Sequence, residues 1–387
     1  FQLGAALAGT ALVVSPWRSA LAAVFDGPGP FGPLLSPDEN GIQLPEGFRS
    51  RVIAKAFEVV PGTRDHLWHI FPDGGATFPM PDQGWVYVSN SEFTVVGGGV
   101  GAIRFDRHGE VVDAYAIVDS QDSSLNCAGG ATPWGTWLTC EELSNGRVLE
   151  CDPSGRLESQ VRLALGVFKH EAAAVDPRTG IVYLTEDEPN GRLYRFVPNA
   201  WANLSSGRLD VAEVSALGDV RWHPVPEPNP PRGNPTRLQV PESTRFNGGE
   251  GIVYSQRHVY FTTKGDNRVW DYFPSRETLR ILYDDDAAPG LALRGVDNIT
   301  ASHTGELVVA EDGDDMELVM LTRDLEVAPI LRVLGQDGSE LTGPAFDPKQ
   351  RRLYVSSQRG GPRGLGITYE IEGPFHWSRR RSSSAGL

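Results

Sequence analysis

Short apolar runs separated by polar turns dominate the chain, and one arrangement of them recurs. Each copy has a polar head residue, a short apolar strand, a turn, a second strand with alternating apolar positions, and a closing polar cluster. Glu171 opens EAAAVDPRTGIVYLTED, Glu250 opens EGIVYSQRHVYFTTKGD, Asp297 opens DNITASHTGELVVAEDGDD and Glu340 opens ELTGPAFDPKQRRLYVSSQRG. GGATFPMPDQGWVYVSNSE fits from residue 74, and NCAGGATPWGTWLTCEE fits with Cys127 at its head. Stretches such as GRVLECDPSGRLESQVRL and NRVWDYFPSRETLRILYD lie between the copies and read as outer strands. Alternation over short runs bounded by turns marks strands. Four short strands in each unit of about 40–50 residues are the signature of a β-propeller.

Heads at 74, 127, 171, 250, 297 and 340 give six blades. The long interval from 171 to 250 holds the proline-rich VPEPNPPRGNPTRLQVPEST, expected to be a surface insertion. Closing the ring requires a strand from one terminus to join the last blade, since an open edge would otherwise remain. GFRSRVIAKA, near residue 50, is the candidate. The expected fold is therefore an all-β, six-bladed propeller, with residues 24–375 as one domain.

In a propeller the innermost strands line the central channel, so the heads converge on one axis. Carboxylates gathered without cations repel one another and take up protons, and bound metal removes that difficulty. Calcium takes oxygens; a thiolate indicates a softer, transition-metal component. Cys127, beside Ala128-Gly129-Gly130, reads as a ligand. Cys140, alternating with Leu138 and Glu142, reads as packing, as does Cys151 on an outer strand. EDGDDMELV lacks the spacing of an EF-hand; it leaves Glu311 and Asp312 as weaker ligand candidates and Asp314 and Asp315 as a solvated turn. His170 reads equally as a base or ligand and as a hydrogen-bonded structural histidine. The chain has no G-x-S-x-G elbow and no Walker loop, so serine-hydrolase and nucleoside-triphosphatase readings lack their usual support.

Composition narrows the choice of partner. A formal charge of −15 argues against nucleic acid, whose binding depends on neutralising phosphates. It also requires cations at any site that takes a phosphorylated substrate. FQLGAALAGTALVVSPWRSALAA is too short and interrupted for a membrane span and ends near an A-x-A pattern. Residues 1–23 are therefore expected to be the remnant of an export signal, its charged leader lost, and the mature domain to have no stable membrane insertion. Phe1-Gln2-Leu3 is similar to the residues that come after a twin-arginine pair, which suggests the Tat route and a periplasmic, cell-surface or secreted protein. Residues 376–387, basic and Ser-rich, are expected to form a disordered tail.

NCAGGATPWGTWLTCEE, LALGVFKHEAAAVD, YFTTKGDNRVW, VDNIT and ELTGPAFDP, in this order, resemble the PhoX family of exported alkaline phosphatases, from about residue 40 to 373. The resemblance implies a six-bladed propeller carrying an iron–calcium cluster that hydrolyses phosphate monoesters, with diesters a possible extension. It implies that Cys127 ligates iron and that Glu171 and Glu250 are acidic cluster ligands. Glu92 keeps the acid of a family Asn-His-Glu whose histidine is Ser91 here. Glu141 and Glu142 match an acidic pair, one or both facing calcium, and Asp297 and Glu340 match further acids near the channel. The chain departs from the family in lacking its long insertion after the acidic pair. It also has Gly248 where the family has an arginine two residues before the acid matched by Glu250. Asn126, Arg245 and Lys264 are the candidate phosphate contacts, with Arg245 or Lys264 replacing that arginine. Cys127 and the acids are expected to act as ligands, not nucleophiles, in metal-assisted phosphoryl transfer to water, by a protein acting as a monomer. Two other readings stand beside this one: a calcium-dependent propeller lactonase or esterase, which leaves Cys127 unexplained, and a non-catalytic binding propeller stabilised by metal.

Overall fold

The computed structural model describes residues 24–94, 98–287, 290–313 and 315–375. The expected signal remnant (1–23), the expected tail (376–387) and Asp314 lie outside the described residues. Six antiparallel sheets form six blades. Their innermost strands are Pro72–Pro79, Asn126–Ala131, His170–Val175, Gly249–Ser255, Val296–Ala301 and Leu341–Phe346. Each touches the next and the last touches the first, so the ring is closed. Closure uses Arg49–Lys55, which pairs with Ile367–Glu372 as the outermost strand of the sixth blade. Among the described residues, no helix is long and apolar enough to cross a membrane.

Two blades depart from the expected four strands. The third gains Val220–Pro224 on its outer edge. The fifth is widened by Phe25–Asp26, running parallel to its outer strand, and by Ile42–Gln43. Both additions cover backbone that would otherwise be an exposed pairing edge.

The alternating pattern is used on both sides of each blade. In Trp85–Ser91, Trp85 and Tyr87 enter the core shared with the sixth blade, while Val86 and Val88 enter the core shared with the second. A wedge of apolar side chains fills each gap between neighbouring blades. Burying each large side chain in these wedges contributes about 1.5–3 kcal/mol. Cys140 lies in the wedge between the second and third blades, and Cys151 in the one between the first and second. Both thiols are free and buried, as packing residues would be.

A further regularity lies in the pairing. Every innermost strand slips register against its neighbour near its start: between 72 and 75, 126 and 129, 170 and 173, 249 and 252, 296 and 299, and 342 and 345. A β-bulge bends the strand and re-aims side chains. The first residues inside these bulges are Asp73, Cys127, Glu171, Glu250, Asp297 and Gly343. The structural repeat thus agrees with the sequence reading at 127, 171, 250 and 297. It moves the first head from Gly74 to Asp73 and the sixth from Glu340 to Gly343. At Gly343 the backbone has φ +59°, and a Cβ would lie 2.4 Å from the Asp73 carbonyl oxygen, so the sixth blade has no side chain at this position.

Candidate metal centre

The bulge residues form a buried ring at one end of the channel: Asp73, Cys127, Glu171, Glu250 and Asp297 are each at most 9% exposed. A second, more open ring stands above it. In the first five blades the residue before the bulge head pairs with the last residue of the second strand: Pro72 with Ser91, Asn126 with Glu141, His170 with Glu186, Gly249 with Thr263 and Val296 with Glu311. The next residues along those second strands are Glu92, Glu142, Asp187, Lys264 and Asp312. In the sixth blade the equivalent position is Ser357, and Glu340, Gln358 and Arg359 approach from its flanking loops.

Three sets of ligand atoms lie within 4.8 Å of one another: Glu92, Cys127 and Glu142; Glu171, Glu250 and Asp297; and Asp297, Asp312 and Glu340. Asp297 joins the last two sets. Neighbouring blades lock the bulges in place. Asn90 donates to the carbonyls of Cys127 and Ala128, Thr185 to that of Glu250, and Thr262 to that of Asp297.

Few cations meet these acids. Lys169 Nζ bridges Glu142 (2.8 Å) and Asp187 (2.6 Å). Lys264 Nζ bridges Asp312 (2.5 Å) and Asp297 (3.5 Å). Arg359 spans Glu340 and Glu92, and Gln358 Nε2 donates to Asp73 and Glu92. Glu171 is left with nothing: it is fully buried, and neither carboxyl oxygen has a hydrogen-bond partner. An unmet buried carboxylate is costly.

The electrostatics follow from this arrangement. Burial, then the neighbouring acids, hold the carboxyls of Asp73, Glu171 and Glu250 well above the usual carboxylate range. Burial raises Glu142 to about 8, Glu340 to about 7 and Asp297 to about 6, with Lys169, Arg359 and Lys264 respectively pulling the other way. The Cys127 thiol is also pushed up, by burial and then by Asp73 and Glu171. Cations would reverse these shifts and favour the thiolate and carboxylates. The bare oxygens of Glu171, the mixture of oxygen and sulfur donors and the shared Asp297 all fit bound cations.

The structure therefore brings together Cys127, Glu92, Glu142, Glu171, Glu250, Asp297 and Glu340, and it sets Glu141 apart. Glu141 ends the ladder with its carboxylate turned into the blade. It accepts from Ser123, from the Arg147 backbone N–H and from the Arg147 guanidinium, so its lone pairs are committed there. Asn126 is fully buried, donating to Ser123 and Thr139 within the second blade and not facing an opening. Arg245 is exposed, and its charge acts on Arg192. Lys264 alone of the candidate phosphate contacts stands at the rings. Its backbone N–H donates to the Gly248 carbonyl, and its Cβ lies 3.8 Å from where a Gly248 Cβ would be. His170 is buried, stacks on Phe168 at 3.6 Å and is bonded through Nε2 to the Gly166 carbonyl, a packing role. Glu311 accepts from the Arg294 backbone, while Asp312 joins the acids.

Sequence reasoning missed Asp73, Asp187, Gln358 and Arg359. The signal for Asp73 was present: PDGGA places an acid before small residues, as NCAGG places its cysteine.

Comparison with known structures defines the class first. The chain superimposes on the PhoX of Pseudomonas fluorescens, solved in complex with vanadate, a transition state analogue, with a TM-score of 0.70. The identity is 18%, and the match covers 88% of this chain and 97% of that one. A gluconolactonase from Xanthomonas campestris matches at TM-score 0.52 and 12% identity, over 89% and 98%. A protein of unknown function from Bacteroides thetaiotaomicron matches at 0.54 and 10%, over 84% and 76%. At such identities the likeness establishes the propeller fold. No curated protein matches by sequence. The family described as alkaline phosphatase PhoX matches residues 117–150 and 144–361, which span Cys127 through Glu340. The chain belongs to the PhoX family of alkaline phosphatases.

Proposed function

We propose that this phosphatase hydrolyses phosphate monoesters at the two rings, whose residues would hold iron and calcium. Cys127, Glu92 and Glu142 form the set suited to iron, because it contains the only sulfur of the three sets. Glu171, Glu250, Asp297, Asp312 and Glu340 form the oxygen-rich sets suited to calcium, and Asp73 extends the buried ring beside them. When bound, these ions would offset the negative field of the protein and polarise the phosphate. The rest falls to the chain itself. The buried lower ring keeps bulk water from the reacting end of the substrate. Lys264, Lys169 and Arg359 stand in the open upper ring, where the phosphate oxygens enter. Lys264, bonded through its backbone to Gly248 and with its charge acting on Glu250, replaces the family arginine as the cation beside that acid. Arg359 is a second such cation, braced over Phe71 at 5.4 Å.

The observation that carries this reading is the convergence of one thiol and several carboxylates at equivalent register positions, with Glu171 bare among them. Export by the Tat route on the segment 1–23, and action as a monomer on a small phosphorylated substrate, belong to the same proposal. The test is elemental analysis of protein produced with export, together with assays on p-nitrophenyl phosphate and bis(p-nitrophenyl) phosphate. Iron and calcium should copurify with monoesterase activity, and Cys127→Ser should lose iron and activity while keeping its circular dichroism spectrum. Calcium without iron, or activity that survives removal of both metals, would overturn the proposal.

A further inference from the structure

The insertion after the third blade is built into the molecule. The Val167 backbone N–H donates to the Pro228 carbonyl (2.8 Å), and Thr236 Oγ1 donates to the Val167 carbonyl (2.8 Å). Glu227 and Gln239 exchange two hydrogen bonds across its base. Arg237 is tied to Glu186 (3.2 Å), Glu188 (3.1 Å) and Asn190 (3.1 Å). Held in this way, the insertion encloses a cavity of about 460 Å³ with Val167, Phe168, Pro231 and Pro235 on its apolar walls and Asn145 and Arg232 among its polar ones. That volume lies in the range of small-molecule sites, which combine apolar walls with a few polar groups.

The cavity borders the upper ring. Glu142 leads within two residues to Ser144, Asp187 adjoins Glu188, and Lys169 follows Phe168; Ser144, Glu188 and Phe168 all line the cavity. Lys169, clamping Glu142 and Asp187, stands at the boundary. The two arginines of the cavity differ. Arg237 is spent on Glu186 and Glu188, whereas Arg232, in the turn closed by the Asn234 N–H to the Pro231 carbonyl, is exposed and has no carboxylate partner among the described residues.

We propose that this cavity receives the alcohol half of the phosphate ester and that Arg232 selects alcohols ending in a carboxylate or similar anion. The proposal rests on the phosphatase reading and gives it a substrate class: esters with a flat apolar body that packs on the prolines, and an anion at the far end.

The test compares phenyl phosphate with 4-carboxyphenyl phosphate and the longer 4-(2-carboxyethyl)phenyl phosphate, using the metal-loaded enzyme. The better carboxylate ester should exceed phenyl phosphate in kcat/KM by about two- to fivefold, the scale of one exposed ion pair. The advantage should lie in KM. Arg232→Ala should bring the ratio to about one and leave phenyl phosphate turnover unchanged, and Arg232→Lys should restore part of it. A wild-type ratio of one, or a ratio unmoved by Arg232→Ala, overturns the proposal. Should no ester be hydrolysed, the phosphatase reading falls, and the cavity is judged by binding alone. In that case 3-(4-hydroxyphenyl)propionate should show NMR line broadening with wild type and not with Arg232→Ala, and equal broadening or none overturns it.

Discussion

Glu141 and Glu142 are neighbours in sequence with opposite surroundings. Glu141 points into its blade and is saturated by Arg147 and Ser123. Glu142 points to the channel, where it shares one lysine with Asp187 and faces Cys127 and Glu92. The same contrast recurs elsewhere in the blades. Several acids in the blades have dedicated cations: Asp210 has Arg195 and Arg208, Glu317 has Arg332, and Asp271 has Arg280. Acids at the hub share Lys169, Lys264 and Arg359 among many, and Glu171 has none. The difference teaches that the hub is incomplete as a protein-only structure while the blades are not.

The contrast breaks most visibly at its extreme. Glu171→Gln should lower phosphatase activity by more than about a hundredfold, since even residues that merely support metal ligands cost 10–100-fold. The metal-stripped variant should melt no lower than stripped wild type, because it removes a buried carboxylate that has no partner. A calorimetric scan of both, alongside metal content, checks this.

Next comes pH. In the stripped protein, Asp297, Glu340 and Glu142 are held up to about 6, 7 and 8, all above the range of an unfolded carboxylate. Groups raised in this way favour the fold when protonated, so their contribution is complete below about pH 4 and is lost as pH rises through those values. The Tm of stripped protein should fall by about 5 °C between pH 5 and 8, and calcium should restore more of it at pH 8 than at pH 5. A Tm that rises over that window would contradict the account.

Glu141→Gln sharpens the comparison from the other side. It should cost about 2 kcal/mol of stability, discounted for the partly exposed Arg147, and leave metal content intact. Chemical denaturation and elemental analysis together separate it from Glu142→Gln, which should lose metal first. Lys264→Gln should raise KM for a phosphate ester by about tenfold with smaller change in kcat. The mildest case is Cys140→Ala, which should cost about 1 kcal/mol with no effect on iron, in contrast to Cys127→Ser.

Much of this was legible in the order of residues. Heads at 127, 171, 250 and 297 showed themselves as polar residues ahead of small or apolar runs. Asp73 was misplaced by one because Gly74 and Gly75 continue the same pattern. The sixth head was misplaced by three because that blade has Gly343 at the bulge, and Glu340 arrives from outside the strand. Bulges are shifts of pairing between strands, and a single strand does not record them. Nor does alternation decide between Glu141 and Glu142, since it takes Arg147, just ahead of the next strand, to claim one of them. The proline-rich segment read correctly as an insertion, but that it encloses a cavity depends on Thr236 and Val167, 69 residues apart.

The sixth blade carries a consequence for timing. Its outer strand, Arg49–Lys55, is made long before its partner Ile367–Glu372, with five blades between them. Until then the growing chain is an open arc, and Asp73 and Asp297 lack the wedge that holds their blades around the axis. The ring of ligands therefore depends for its geometry on a contact between segments more than 300 residues apart, and weakening that single seam would loosen every set at once.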